Sequence, residues 1–155
     1  MACTPSQARD EVYELFTERW TASNLSAPQQ MPEIRYQGKE KGAVPAGRFV
    51  RLSMQQVRSP QSAHTMPDGP GASGAQFTTY GLIFAQVFVP ASERDGFFNG
   101  ELLASFARDI FRNAETPSGV WFRNARFSEL EPDGSKLRWN VQVEYEFNEI
   151  NGEGN

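Results

Sequence analysis

Apolar residues recur along this chain with two periods, one near four and one of two, and the switches between them mark the elements. Val12, Leu15, Phe16 and Trp20 fall at helical spacing, with Arg19 lending its aliphatic stem to the same stripe. Thr4 or Ser6 suits the cap of this helix and Pro5 its first turn. Asp10, Glu11 and Glu14 lie toward its start, where the macrodipole favours acids. The pattern stops near Ala22, and residues 23–32 (SNLSAPQQMP) read as a connector. Glu33 to Gln37 reads as a short strand, followed by the turn-like GKEKGAVPAG.

Period two then takes over. Arg48 to Val57 alternates, with Val50, Leu52 and Met54 on one face. Phe77 to Val89 is apolar on both faces and ends at Pro90; Gly81 inside it signals a bulge or a close backbone approach. A second helix is predicted over Gly100 to Asn113, capped by Asn99. Leu102, Leu103, Phe106, Ile110 and Phe111 form its stripe, and Pro117 and Gly119 stop it. Two strands, Val120 to Leu130 and Leu137 to Asn148, follow, joined by EPDGSK, in which proline presets φ and glycine accepts a positive one. The last strand alternates cleanly: Leu137, Trp139, Val141, Val143, Tyr145 and Phe147 against Arg138, Asn140, Gln142, Glu144, Glu146 and Asn148. One buried and one wet face are expected. The pattern predicts one α+β domain over 1–155, with flexible ends at about 1–4 and 151–155. Its sheet is mostly antiparallel, with two helices packed on one face.

One segment carries neither period. Arg58 to Gln76, RSPQSAHTMPDGPGASGAQ, has three prolines and three glycines and little to pack. A loop this long is uncommon in a compact domain and tends to be functional or disordered. Three readings are open: a surface insertion, a lid over a site, or the tip of a hairpin arm that orders against a partner.

Composition narrows the field. The 155 residues are 39% hydrophobic and 12% aromatic, enough for a core without a disulfide or metal staple. The net charge of −4 lacks the basic excess of a general nucleic-acid binder. The single cysteine, Cys3, gives no internal disulfide framework and fits a reducing compartment. The start, MACTPSQARDEVYELF, does not read as a secretory signal, and no window approaches the 18 or so apolar residues of a membrane span.

Enzyme signals are nearly absent. His64, the one histidine, lies in the long loop without evident ordered partners. CxxC, HExxH, GxSxG and the phosphate-binding glycine motifs are missing, and the tail lacks calcium-loop spacing. The reading is of no catalytic residue, cofactor or metal. Charge is more informative. Lys41, Arg48, Arg51 and Arg58 form an acid-free basic stretch, and Glu144, Glu146, Glu149 and Glu153 a base-free acidic one. These fit cross-strand pairing within one sheet, simply solvated faces, or complementary surfaces between copies of the chain.

The stretches YGLIFAQVFVPA (80–91), ARDIFR (107–112) and GVWFRNARFSELEPDGSKLRWNVQVEYEFNEI (119–150) resemble the tail terminator, or tail completion, proteins of long-tailed bacteriophages. The order of elements matches too, over roughly residues 5–150; the bulky ASERDGFFN (91–99) departs from the small, glycine-rich turn expected there. The resemblance implies a subunit related to tail-tube proteins, located in the virion after assembly in the host cytoplasm. Such subunits form a ring, typically a hexamer, on the head-proximal end of the tube. The ring stops tube growth and meets the head connector or stopper, and DNA passes through it without specific binding.

On that reading Arg48, Arg51, Arg58, His64, Met66, Asp68, Arg123 and Arg126 are candidates for subunit or tube contacts, and Glu144 and Glu146 for an acidic face toward the lumen or the next ring. The nearest rival is another neck component, such as a head-closure protein. A small-molecule enzyme or binding domain with a lid, and a nucleic-acid module, are the rivals from other classes.

Overall fold

The computed structural model describes residues 3–39, 42–58, 61–63 and 76–150. The elements run α1 (Pro5–Thr21), β1 (Glu33–Tyr36), β2 (Phe49–Arg58), β3 (Gln61–Ala63), β4 (Gln76–Pro90), α2 (Gly96–Ile110), β5 (Trp121–Asp133) and β6 (Lys136–Ile150). They form one sheet in the order β1-β2-β4-β6-β5, with β3 also on β4. Only the β1–β2 pair is parallel. This is the α+β fold expected from the pattern.

Thr4 caps α1 in a full capping box: its hydroxyl accepts from Gln7 N, and the Gln7 side chain accepts from Thr4 N. No acid lies in the first turn, so Asp10, Glu11 and Glu14 sit too far along to gain from a dipole that fades within one turn. Arg19 also does something else than packing its stem: its guanidinium donates to Ile110 O, satisfying a carbonyl at the end of α2.

Both helices cover one face of the sheet. Val12, Phe16 and Trp20 of α1 and Leu103, Ala104, Ala107 and Ile110 of α2 meet the inward set of Val50, Leu52, Ile83, Ala85, Val87, Trp139, Val141 and Val143. Phe16 stacks on both Trp20 and Phe111. The β4–β6 pairing is unbroken over fifteen residues, from Gln76↔Ile150 to Pro90↔Lys136. Gly81 shows why a strand interior takes glycine: a Cβ there would lie 2.1 Å from Gln55 O and 2.9 Å from the Tyr145 hydroxyl, and β2 bulges opposite it, between Gln56 and Arg58.

The second helix differs most from expectation. It starts at Gly96, not Gly100, and its cap is Asp95 at φ 57°, not Asn99. Leu102, assigned to the buried stripe, is 42% exposed. The stripe instead runs through Gly96, Gly100, Leu103, Ala104, Ala107 and Ile110. Small residues sit there because Trp139 presses on the helix: a Cβ on Gly100 would fall 2.1 Å from its ring. A stripe of glycine and alanine leaves little apolar period to read. The long segment is shorter than it reads, since β3 pairs with the start of β4; residues 64–75 join them and lie outside the described residues.

Candidate functional site

The sheet face turned away from the helices carries the candidate residues. Across it run rows set by the strand register: Ser53, Phe84 and Gln142 to Arg126; Gln55, Leu82 and Glu144 to Arg123; Tyr80 and Glu146 to Trp121. Leu82 and Phe84 are half-buried there, and no helix of the described residues covers them. The face expected to be wet is therefore mixed, with Glu146 only 18% exposed between its neighbours.

Arg123 on β5 joins the two candidate glutamates. Its Nε lies 3.3 Å from Glu144 Oε1 and its guanidinium 3.0 Å from Glu146 Oε1. Asn124 Nδ2 donates to the other Glu144 oxygen at 3.0 Å. Asn124 holds φ at 55°, inside the register shift between Arg123 and Arg126, and this bulge re-aims the strand so that Arg123 reaches both acids. Residues assigned to different surfaces from sequence thus form one cross-strand cluster. Arg126 is exposed on the same strand.

Arg48 and Arg51 lie at the start of β2, two strands from the strand that carries these acids. Arg48 makes a bidentate pair with Glu93, with Nε 2.9 Å from both carboxylate oxygens and Nη2 2.6 Å from Oε2. Arg51 lies over the rings of Phe49 and Phe88, which stack at 4.4 Å. Lys136 also lies over the Phe49 ring and donates to Pro45 O. Arg58 pairs with Tyr80 through its backbone. His64, Met66 and Asp68 lie outside the described residues.

Among the described residues two carboxylates are perturbed, and both serve as ties. The hydrogen bonds from Arg48 hold the Glu93 carboxyl below the usual range, against its partial burial. Burial pushes the Glu11 carboxyl up, but bonds from Ser118 and Thr116 outweigh it and leave the group lowered; Ser118 Oγ donates to Glu11 at 2.6 Å. Burial likewise raises the Cys3 thiol to about 11, with Glu11 and Glu149 adding to it. Among the described residues no group of three or more His, Cys, Asp or Glu could hold a metal, and no helix is long and apolar enough to cross a membrane.

Two surface features escaped the sequence reading. Phe97 and Phe98, at the start of α2, are 47% and 61% exposed; the FF pair in ERDGFFN was their signal. Between α1 and the end of β1, Tyr13 and Tyr36 line a shallow groove of about 320 Å³ together with Asp10, Glu14 and Glu18. Their rings lie 5.3 Å apart, and the Thr17 and Tyr36 hydroxyls hydrogen-bond each other.

No family model matches the chain, and no curated protein matches it. Solved structures do. One, known only by a sequence identifier, aligns with 95% of this chain and 98% of its own length at 14% identity and a TM-score of 0.59. Another, from the virion of a native gene transfer agent particle, aligns with 90% of this chain and 92% of its own at 18% identity and a TM-score of 0.55. At these identities the likeness is one of fold, and it runs nearly end to end in both.

Proposed function

We propose that this chain is a structural subunit of a phage-like virion, forming a ring on the head-proximal end of the tail tube. There it ends tube polymerisation and offers the surface to which the head connector joins. The observation that carries the reading is a fold shared almost end to end with a chain of a gene transfer agent virion. The half-covered sheet supports it: helices bury one face, and the other keeps Leu82 and Phe84 among paired charges. Such a face suits a subunit that is completed by neighbours.

A tube is an open, heterologous polymer in which each layer offers the next the surface it used itself. A terminator presents one half of that contact and withholds the other. The ring, typically a hexamer in the proteins this chain resembles, lets DNA through its bore. Glu144 and Glu146 are assigned to the lumen or the ring-to-ring surface. Arg123 is held between them by both carboxylates, so this patch offers phosphates no unpaired cation to stall on. Arg126, and the 58–76 connection with His64, Met66 and Asp68, are assigned to contacts with the tube or with adjacent subunits.

Tail length by electron microscopy, in lysates of the parent phage lacking this chain, tests the reading. Overlong, variable tails without heads are the expected result. Tails of normal length without heads would move the role to neck closure, and normal virions would overturn a structural role altogether.

A further inference from the structure

Among the described residues three aspartates or asparagines are followed directly by glycine: Asp95–Gly96, Asn99–Gly100 and Asp133–Gly134. All three hold the atoms for one reaction. Glycine leaves its backbone nitrogen unshielded, within reach of Cγ of the side chain before it. The fold treats the three pairs differently. Gly96 is engaged: its N–H donates to Glu93 O at 3.1 Å, and a Cβ there would lie 3.1 Å from Pro90 O. Gly100 lies inside α2 against the Trp139 ring, and Asn99 Nδ2 donates to Glu93 at 3.4 Å. At both pairs the peptide that must turn for an attack is held by the packed start of α2.

Asp133 and Gly134 form the turn between β5 and β6, and both are exposed. Gly134 takes φ 63° with open space where a Cβ would stand. The ladder beside the turn is already broken. Register shifts between Leu130 and Asp133, and Pro132 has no N–H to give it. Among the described residues nothing is bonded to the Asp133 carboxyl or to the Gly134 N–H. This is the EPDGSK stretch, whose turn chemistry the strand pairing uses and whose aspartate it leaves idle.

We propose that Asp133 is a site of spontaneous isoaspartate formation in the folded protein. The Gly134 nitrogen adds to Asp133 Cγ, and the new N–C bond closes a five-membered succinimide. The Cγ–OH bond breaks, and the hydroxyl leaves as water with the amide proton of Gly134. Water then opens the ring at the original main-chain carbonyl of Asp133. The bond from that carbon to the Gly134 nitrogen breaks; the carbon keeps the hydroxyl and the nitrogen takes the proton. The chain now runs through Cγ, and the former main-chain carbonyl is the free carboxyl. No oxidant enters, and the water lost in the first step is regained in the second. The Asp133 Cβ becomes part of the backbone, so the turn lengthens by one atom. The next two residues give that change a reach beyond the hairpin. Ser135 O accepts from Ala91 N at 2.8 Å, and Lys136 donates to Pro45 O.

The test is ageing of the full chain at neutral pH in heavy-oxygen water, folded in one sample and in urea in another. Trypsin in ordinary water then separates the sites, with Asp133 in the peptide 127–136 and both Asp95 and Asn99 in 95–108. Each ring opening leaves one heavy oxygen, read by mass spectrometry, and an isoaspartate methyltransferase with a labelled methyl donor identifies the product. In the folded chain 127–136 should gain label at least about tenfold faster than 95–108. In urea the order should reverse, because an Asn–Gly pair freed from a helix is intrinsically the faster to cyclise. Asp133→Glu, with the fold intact by circular dichroism, should remove the label from 127–136. Label arriving first in 95–108 of the folded chain would overturn the proposal. So would an unlabelled 127–136 in the folded chain over a time that labels the sample in urea, and so would label that persists in 127–136 of Asp133→Glu.

Discussion

Arg48 and Glu93 connect the start of β2 to the turn before α2, and Asn99 and Ser26 join the same cluster. Both charges are about a quarter exposed, so solvent screens the pair, and Arg48→Ala should cost only about 1 kcal/mol in urea unfolding at neutral pH. Glu93 and Glu11 both have lowered folded-state pKa values. Their contribution is fully present above the unfolded value of about 4.3 and is lost as pH falls below it through the folded values. Thermal melts between pH 6 and pH 3 should fall in that lower window, and Glu93→Gln should flatten the fall. A thiol raised to about 11 holds almost no thiolate at pH 8. Alkylation of Cys3 should therefore be slow in the native protein and become fast in denaturing urea, as mass spectrometry would show.

Among the elements, α2 gives the sharpest test of packing. A methyl group on Gly100 meets Trp139, which is 1% exposed and cannot swing aside. Overpacking costs roughly 1–3 kcal/mol, and alanine's better helix propensity returns up to about 1. Gly100→Ala should thus lower stability by about 1 kcal/mol or more and reduce the melting temperature by several degrees. The same helix marks where the sequence was hard to read. The strands were legible because alternation survives in single residues: Trp139, Val141, Val143 and Tyr145 announce their face without help. Four of the six buried residues of α2 are glycine or alanine, while the conspicuous apolar Phe97, Phe98 and Leu102 face out. Hydrophobicity read along the chain points the wrong way there, because Trp139 comes from a strand some forty residues later. The pairing among the charged candidates was hidden for a similar reason. Arg123 and Glu144 are 21 residues apart, and only the bulge at Asn124 decides that they meet.

At the scale of the whole molecule, the Arg123–Glu144–Glu146 patch should offer phosphates little attraction. Glu144→Lys with Glu146→Lys would set two new cations beside Arg123. If that face lines the bore, DNA ejection should slow severalfold at low salt and less at high salt, where phosphate attraction is screened. Ejection kinetics measured by light scattering would show it, and unchanged kinetics would remove these residues from the lumen.

The fifteen-residue pairing of β4 with β6 has a consequence for how the chain is made. β6 follows the other described elements in sequence, yet it lies inside the sheet, between β4 and β5. Until β6 has been made, β4 has only β2 and β3 beside it and β5 has no strand paired along it. For that interval a strand about 50 Å long, apolar on both faces, waits with one rim unpaired. Folding here is a matter of timing, since the nascent polypeptide cannot close its sheet until Lys136–Ile150 has been made. A version ending before Lys136 should accumulate as insoluble aggregate, and pulse-labelled protein should become protease-resistant in one late step.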